Sequence, residues 1–345
     1  MLWVVAALEQ CPYKFDTSAR HQLNHSWASE PRLQTDRPST RRARAAQRSL
    51  DQTIAGGRWA RGAWVAPGTV DVARTFAGRR VLLLGGSTTR RLVFAFVVAS
   101  LNETAQAQFP KSGDFFVGAG GVNQAMERRF AHHGWRFHHY PCEVSRGYGC
   151  SDCHCGCRTG GCSGAQWLDF EARHGPSGTV LDFSWKPELY SQADVNAFTT
   201  RWAEKKGLPY DIIQVGKGLH DAAFRRQRGL AAHGRYVVAQ ARKFGPLLGL
   251  LPTCSLVVIH TPYVDTNGNE RAAVSCTRHA LARLAEDGEF GKRSVLMDAF
   301  ALTAAPGAPR TFDRHHYQHP THTAVWRMMA LALEAATVEC PAHGA

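Results

Sequence analysis

The 345-residue sequence lacks any long hydrophobic run: its two longest are Leu2–Leu8 and Leu92–Leu101, the latter broken by Ser100. Both fall far short of the ~20 apolar residues that span a bilayer. A channel or multi-span transporter is excluded, and no integral membrane segment is expected. Basic residues are not interleaved with aromatic ones on a single element, as a nucleic-acid binder requires, so no nucleic-acid partner is expected either. No internal repeat is present. Acidic residues are comparatively few, 28 against 41 Lys and Arg, which leaves a formal charge of +13. Ten of the basic residues but only five of the acids lie within residues 1–62. The charge thus resolves into a basic leader and a mild general excess. Within that leader Arg37–Arg48 is dense in arginine and reads as a solvated, partly disordered segment. The opening run Met1–Leu8 has no basic flank, which makes it a poor signal peptide. What the sequence does have is an apolar fraction of 44%, that of a folded protein.

It also has ten cysteines, six of them in one stretch: Cys142, Cys150, Cys153, Cys155, Cys157 and Cys162. Cys11, Cys254, Cys276 and Cys340 are dispersed. An even count with one dense knot among Gly, Ser and Arg suits a disulfide-stapled insertion in an oxidising compartment. Zinc is the rival reading, with Cys150, Cys153, His154, Cys155 and Cys157 as soft ligands; crowding argues against it, because structural zinc sites usually separate their two ligand pairs. Free thiols are the third. Two Asn-x-Ser/Thr triplets, at Asn24 and Asn102, agree with a lumenal or secreted location.

Residues 1–75 show no sustained periodicity and read as an irregular basic leader, its end held to the rest of the chain by Trp59 and Trp64. From about residue 76 to 345 short apolar runs alternate with helical stretches. Strands are expected at Val81–Leu84, Arg136–Tyr140, Thr179–Trp185, Asp211–Val215, Ser255–Ile259 and Ser294–Met297. Helices are expected at Thr88–Leu101, Ala193–Lys205, Tyr236–Phe244, Arg271–Glu286 and from Pro320 to about Ala336. Continuous apolar strands alternating with helices predict a doubly wound, mostly parallel α/β sheet, with the cysteine-rich insertion at about 141–165. Such folds place their sites at the carboxyl ends of the strands.

Three strand ends carry unusual residues. In Leu84-Gly85-Gly86-Ser87-Thr88-Thr89-Arg90, two glycines allow a tight strand-to-helix turn. Ser87 then sits at a helix N-terminus, where free N–H groups and the helix dipole favour developing negative charge. Those are the needs of a serine nucleophile; a plain helix cap is the alternative. A phosphate-binding turn is disfavoured, since the Gly-Lys-Ser/Thr of a P-loop and the third glycine of a dinucleotide fingerprint are both missing. In Phe312-Asp313-Arg314-His315-His316-Tyr317, Asp313 and His316 stand three apart and can share one face. The carboxylate can hold the imidazole so that its other nitrogen takes a proton from serine. A metal site using His315, His319 and His322 is the rival there. In Gln214-Val215-Gly216-Lys217-Gly218-Leu219-His220-Asp221, glycines after a strand let N–H groups approach a substrate oxygen. His220 is either a substrate contact or structural.

A serine after the first strand, with Asp-x-x-His before the last helix, resembles the SGNH/GDSL hydrolase superfamily. The similarity is to its PC-esterase and trichome-birefringence-like branch, which includes glycan O-acetyltransferases and esterases. It covers roughly residues 79–337. It rests on Gly85-Gly86-Ser87, Thr179–Trp185, Gly216–Asp221, Asp298-Ala-Phe300 and Asp313-x-x-His316. The resemblance implies a flavodoxin-like fold with Ser87 as nucleophile, His316 as general base and Asp313 as its orienting partner, acting through an acyl-serine. Gly86, Gly120, Asn123, Gly216, Gly218 and His220 are the candidates for oxyanion and substrate contacts. Two positions depart from the pattern: Gly86 stands where an aspartate is usual, and Gly216 where an asparagine donor is usual. Asn123 or Lys217 is the candidate replacement for the latter.

The expected function is a serine esterase or O-acyltransferase of the secretory pathway, acting on O-acyl groups of glycans, O-acetyl first among them. Its partners are a glycan or other O-acylated small substrate and an acyl donor; no cofactor or metal is implied. A catalytically inactive glycan-binding relic of the same fold is the alternative, and a zinc protein the third.

Overall fold

Within the computed structural model, the residues described are 40–61, 63–101, 103–106, 124–139, 169–185, 210–216, 255–264, 274, 277–279, 281–282, 294–309, 311, 317 and 319–337. In chain order they form α1 (Arg41–Gly56), β1 (Arg58–Ala60), β2 (Ala63–Val65), α2 (Val72–Thr75), β3 (Arg80–Gly85), α3 (Ser87–Ala99) and α4 (Glu103–Gln106). There follow α5 (Gln124–Ala131), β4 (Trp135–His139), β5 (Asp169–His174), β6 (Val180–Trp185), β7 (Ile212–Gly216), β8 (Leu256–His260), β9 (Ser294–Met297), α6 (Ala299–Ala304) and α7 (His319–Thr337).

Among the described residues seven strands make one sheet in the order β4-β5-β6-β3-β7-β8-β9. The five from β6 to β9 are mutually parallel, while β5 and β4 add antiparallel strands at one edge. The fold is therefore α/β with a mixed, mostly parallel sheet. Strands β3 and β8 read as apolar runs because both of their faces are buried, while β6 and β7 carry the polar residues Asp182 and Gln214 within theirs. Leu83, Gln214, Val258 and Val295 stand in register across four of them. On one face Val81, Leu83, Ile212, Leu256, Val258, Val295 and Met297 share a core with α1, α3 and α7. On the other, Leu82, Leu84, Ile213, Val215, Val257 and Ile259 are buried as well.

Helix α3 is apolar all round from Leu92 to Val98, and every one of these residues is buried. Such a helix belongs between layers rather than on a surface. It lies between the sheet and α7, whose Trp326 donates its indole N–H to Leu92 O at 2.6 Å. The Trp326 ring also packs edge-on against Phe96 and Phe76, with centroids 4.7 and 5.1 Å away.

The irregular leader expected over residues 1–75 is corrected from residue 41 onward. Arg41–Gly56 is a helix, capped by the Thr40 hydroxyl, which accepts from Ala43 N at 3.1 Å. Ala43, Ala46, Gln47, Leu50 and Thr53 form a buried stripe at helical spacing. Arg41, Arg42, Arg44 and Arg48 are thus carried by an ordered helix, and Arg42 itself is buried. Trp59 and Trp64, paired in the β1–β2 hairpin, do tie this region down: both rings are buried and Trp59 Nε1 donates to Leu302 O at 2.9 Å. The strand β5 is an addition to the expected set.

The cysteine-rich insertion, all ten cysteines, both Asn-x-Ser/Thr asparagines and the helices expected at 193–205 and 236–244 lie outside the described residues. Among the described residues no helix is long and apolar enough to cross a membrane.

Candidate functional site

Along the parallel strands the chain order reverses at β3: β6 lies on one side of it and β7 on the other. The carboxyl ends of β3 and β7 therefore flank the crevice in which open α/β sheets bind ligands. Gly85 ends β3 there and Gly216 ends β7.

Both positions demand glycine for a steric reason. A Cβ on Gly85 would strike the Thr89 side chain and come 2.9 Å from Gly216 O. A Cβ on Gly216 would lie 2.6 Å from Thr89 Oγ1 and 2.8 Å from Gln214 Nε2. Real Cβ atoms do not approach that closely, so the two glycines let the first turn of α3 settle on the sheet edge. Gly86 is the N-cap, with φ −94° and ψ −154°, and Ser87 is the first helical residue rather than the cap. The first helical hydrogen bond runs from Arg90 N to Gly86 O at 3.0 Å. The N–H groups of Ser87, Thr88 and Thr89 consequently have no acceptor within the helix. They carry the positive end of the α3 dipole to the crevice.

One strand further on, His260 ends β8 opposite Gly216. It is buried, and burial pushes its imidazole down to about 4, so it is neutral near pH 7. Its ring meets Tyr263 edge-on at 5.1 Å, and the Tyr263 hydroxyl lies 3.1 Å from His322 Nδ1 in a buried hydrogen bond. Burial raises the Tyr263 phenol well above its ordinary range, so the hydroxyl keeps its proton.

The same cluster anchors the segment that contains Asp313 and His316. Thr311 and Tyr317 form an antiparallel bridge across it. The Tyr317 hydroxyl donates to Val264 O at 2.9 Å, and its ring lies 5.2 Å from that of Tyr263. The foot of this segment therefore stands just beyond the carboxyl end of β8. In the sheet β8 is two strands from β3, about 10 Å at ordinary strand spacing.

Of the residues singled out in the sequence, Gly86, Gly216 and the backbone of Ser87 come together at the crevice. Asp313, His316, Gly120, Asn123, Gly218 and His220 lie outside the described residues, as do Lys217 and His315. Two of the histidines weighed as metal ligands have other neighbours: His322 meets Tyr263, and His319 Nδ1 lies 3.3 Å from Thr323 Oγ1. Among the described residues no three His, Cys, Asp or Glu side chains converge as a metal site. Gln214, His260 and Tyr263 were not among the expected site residues. A signal for the first two was present, as single polar residues inside or ending the apolar runs Ile-Ile-Gln-Val and Leu-Val-Val-Ile-His.

No protein-family model matches the chain, and neither the curated proteins nor the solved structures contain a significant match to it.

Proposed function

We propose that the chain is a serine esterase or O-acyltransferase with a flavodoxin-like SGNH fold, acting on O-acyl groups of glycans in the secretory pathway. The observation that carries this is the placement of Ser87. It begins α3 directly after β3, at the crevice where strand order reverses, preceded by Gly85 and Gly86 and followed by first-turn N–H groups that have no acceptor within the helix. The chain order second-first-third-fourth-fifth of the parallel strands supports the flavodoxin-like assignment. The anchoring of the 311–317 segment at the same edge of the sheet supports Asp313 and His316 as the acid–base pair.

In this mechanism Ser87 Oγ attacks the ester carbonyl carbon and its proton passes to His316, which Asp313 orients. Negative charge collects on the carbonyl oxygen and is met by N–H groups at the start of α3 and after β7. The bond to the sugar oxygen then breaks, that oxygen taking the proton from His316 and leaving an acyl-serine. Water or a second sugar hydroxyl attacks the acyl carbon, giving up its proton to His316, and the bond to Ser87 Oγ then breaks as that oxygen takes the proton back from His316. Water yields a carboxylic acid; a sugar hydroxyl yields a new ester.

The test is covalent labelling by a fluorophosphonate together with hydrolysis of p-nitrophenyl acetate. Both are expected in the folded protein, and both are expected to vanish in Ser87→Ala and His316→Ala. Gly216, standing where the resembled family has an asparagine donor, favours a second reading as an inactive glycan-binding relic. Folded protein that neither labels nor hydrolyses, yet binds acetylated glycan, selects that reading instead.

A further inference from the structure

We infer that the side-chain carboxamide of Gln214 is the oxyanion donor of this site, reaching past Gly216 into the space that an asparagine side chain would otherwise fill. The inference rests on Ser87 being the nucleophile.

Gln214 is placed where a polar residue is costly. It lies in the middle of β7, in register between Leu83 and Val258, and is 0% exposed. Neither Nε2 nor Oε1 has a hydrogen-bond partner among the described residues. Leaving a buried amide unpaired costs roughly 1–3 kcal/mol by mutational measure. A leucine or methionine there would avoid that cost, so the amide is explained by a group it meets in another state.

Its direction identifies that group. Side chains alternate along a strand, so residues 214 and 216 share a face. The Gln214 side chain runs toward the carboxyl edge, bringing Nε2 to 2.8 Å from where a Cβ of residue 216 would stand. Thr89 Oγ1, from the first turn of α3, lies 2.6 Å from that same point. The amide nitrogen and the open N-terminus of α3 thus abut one spot, with only the hydrogen of Gly216 between them. An N–H donor beside a helix N-terminus that begins with Ser87 suits an oxygen acquiring negative charge. Sealed from bulk water, the carboxamide acts where such a donor is worth most.

The test compares wild type with Gln214→Met, which keeps the volume and removes the donor, and follows p-nitrophenyl acetate hydrolysis, fluorophosphonate labelling and thermal unfolding. Loss of one oxyanion donor is expected to lower kcat about 100- to 1000-fold, leave KM nearly unchanged and slow labelling in parallel. The melting temperature should hold or rise, because an unpaired buried amide has been removed. Gln214→Asn retracts the amide by one methylene; if the methionine variant does not fold, this one should keep its stability and lose at least about tenfold in kcat. Undiminished kcat in either folded variant overturns the inference while leaving Ser87 in place. Wild-type protein with no Ser87-dependent turnover or labelling overturns the esterase reading itself, and the inference with it.

Discussion

The Gln47 carboxamide pairs with the backbone of Leu296 as a neighbouring strand would. Gln47 Nε2 donates to Leu296 O at 3.0 Å, and Leu296 N donates to Gln47 Oε1 at 2.7 Å. Leu296 belongs to β9, the edge of the sheet, where open N–H and C=O groups invite pairing with another chain. Helix α1 closes that edge with one side chain. Gln47→Met keeps the packing volume but strands one buried N–H and one C=O, so a loss of about 1–3 kcal/mol is expected in urea unfolding. An unchanged midpoint would mean that α1 does not close the edge in solution.

Gly85 and Gly175 offer a contrast in the cost of a single methyl group. At Gly85 an added Cβ would collide with Thr89 and sit 2.9 Å from Gly216 O, so strand or helix must shift. Gly85→Ala is expected to destabilise by about 1–3 kcal/mol and, by displacing Ser87, to slow ester hydrolysis more than it lowers stability. At Gly175 the nearest atom to an added Cβ is Gly134 O at 3.7 Å, an ordinary contact. Gly175→Ala should leave hydrolysis unchanged and stability level or raised by up to about 1 kcal/mol. Equal effects at both positions would remove the steric case for the crevice.

The parallel core was legible because strands buried on both faces are written as unbroken apolar runs. Val81–Leu84 and Leu256–Ile259 could be read on sight, and β7 as well despite Gln214 within it. The Ser87 turn followed from them, since two glycines after such a run force the chain round into α3. Helix α1 was hidden by Arg41, Arg42, Arg44 and Arg48, which swamp a thin stripe of Ala43, Ala46 and Leu50. Strand β5 was hidden by alternation: Phe170 and Ala172 face the core, but Glu171 between them is charged. Its charge is met by Arg80, whose guanidinium also binds Asp182 at 2.7 Å, a pairing across strands that no local pattern announces. Gln214 lay in plain sight as the odd residue of its strand. Its meaning needed the neighbouring glycine and Thr89 in three dimensions.

Arg278 and Asp298 form a buried pair that ties the helical residues 277–279 to the junction between β9 and α6. Arg278 Nε and Nη2 donate to Asp298 Oδ1 and Oδ2 at 3.0 and 2.6 Å. The same carboxylate accepts from Thr261 Oγ1 and from Ala301 N, both at 3.2 Å, the latter as the N-cap of α6. Removing one partner leaves the other charge buried and uncompensated, so Arg278→Met is expected to cost about 3–5 kcal/mol. Arg278→Met combined with Asp298→Asn should cost clearly less than the two single changes together, because the stranded charge is gone. Strict additivity in chemical unfolding would mean that the two groups act independently.

His260 makes stability depend on pH in a defined window. Burial lowers its imidazole from 6.5 to about 4 in the folded chain, with no such penalty once the chain unfolds. Below pH 6.5 the unfolded state takes up a proton that the folded state refuses until about pH 4. Unfolded chain therefore binds more protons across that interval, and folding stability falls as pH falls through it. Full stability from this group is present above pH 6.5, and the loss is complete below about 4, amounting to roughly 3 kcal/mol at 1.36 kcal/mol per unit. His319, also lowered to about 4 by burial, adds a loss of the same sign. Urea midpoints measured between pH 7 and 4.5 should fall steadily in wild type. In His260→Phe the slope between pH 6.5 and 5, above most carboxylate titration, should be visibly shallower. An unaltered slope there would place the His260 ring in contact with water.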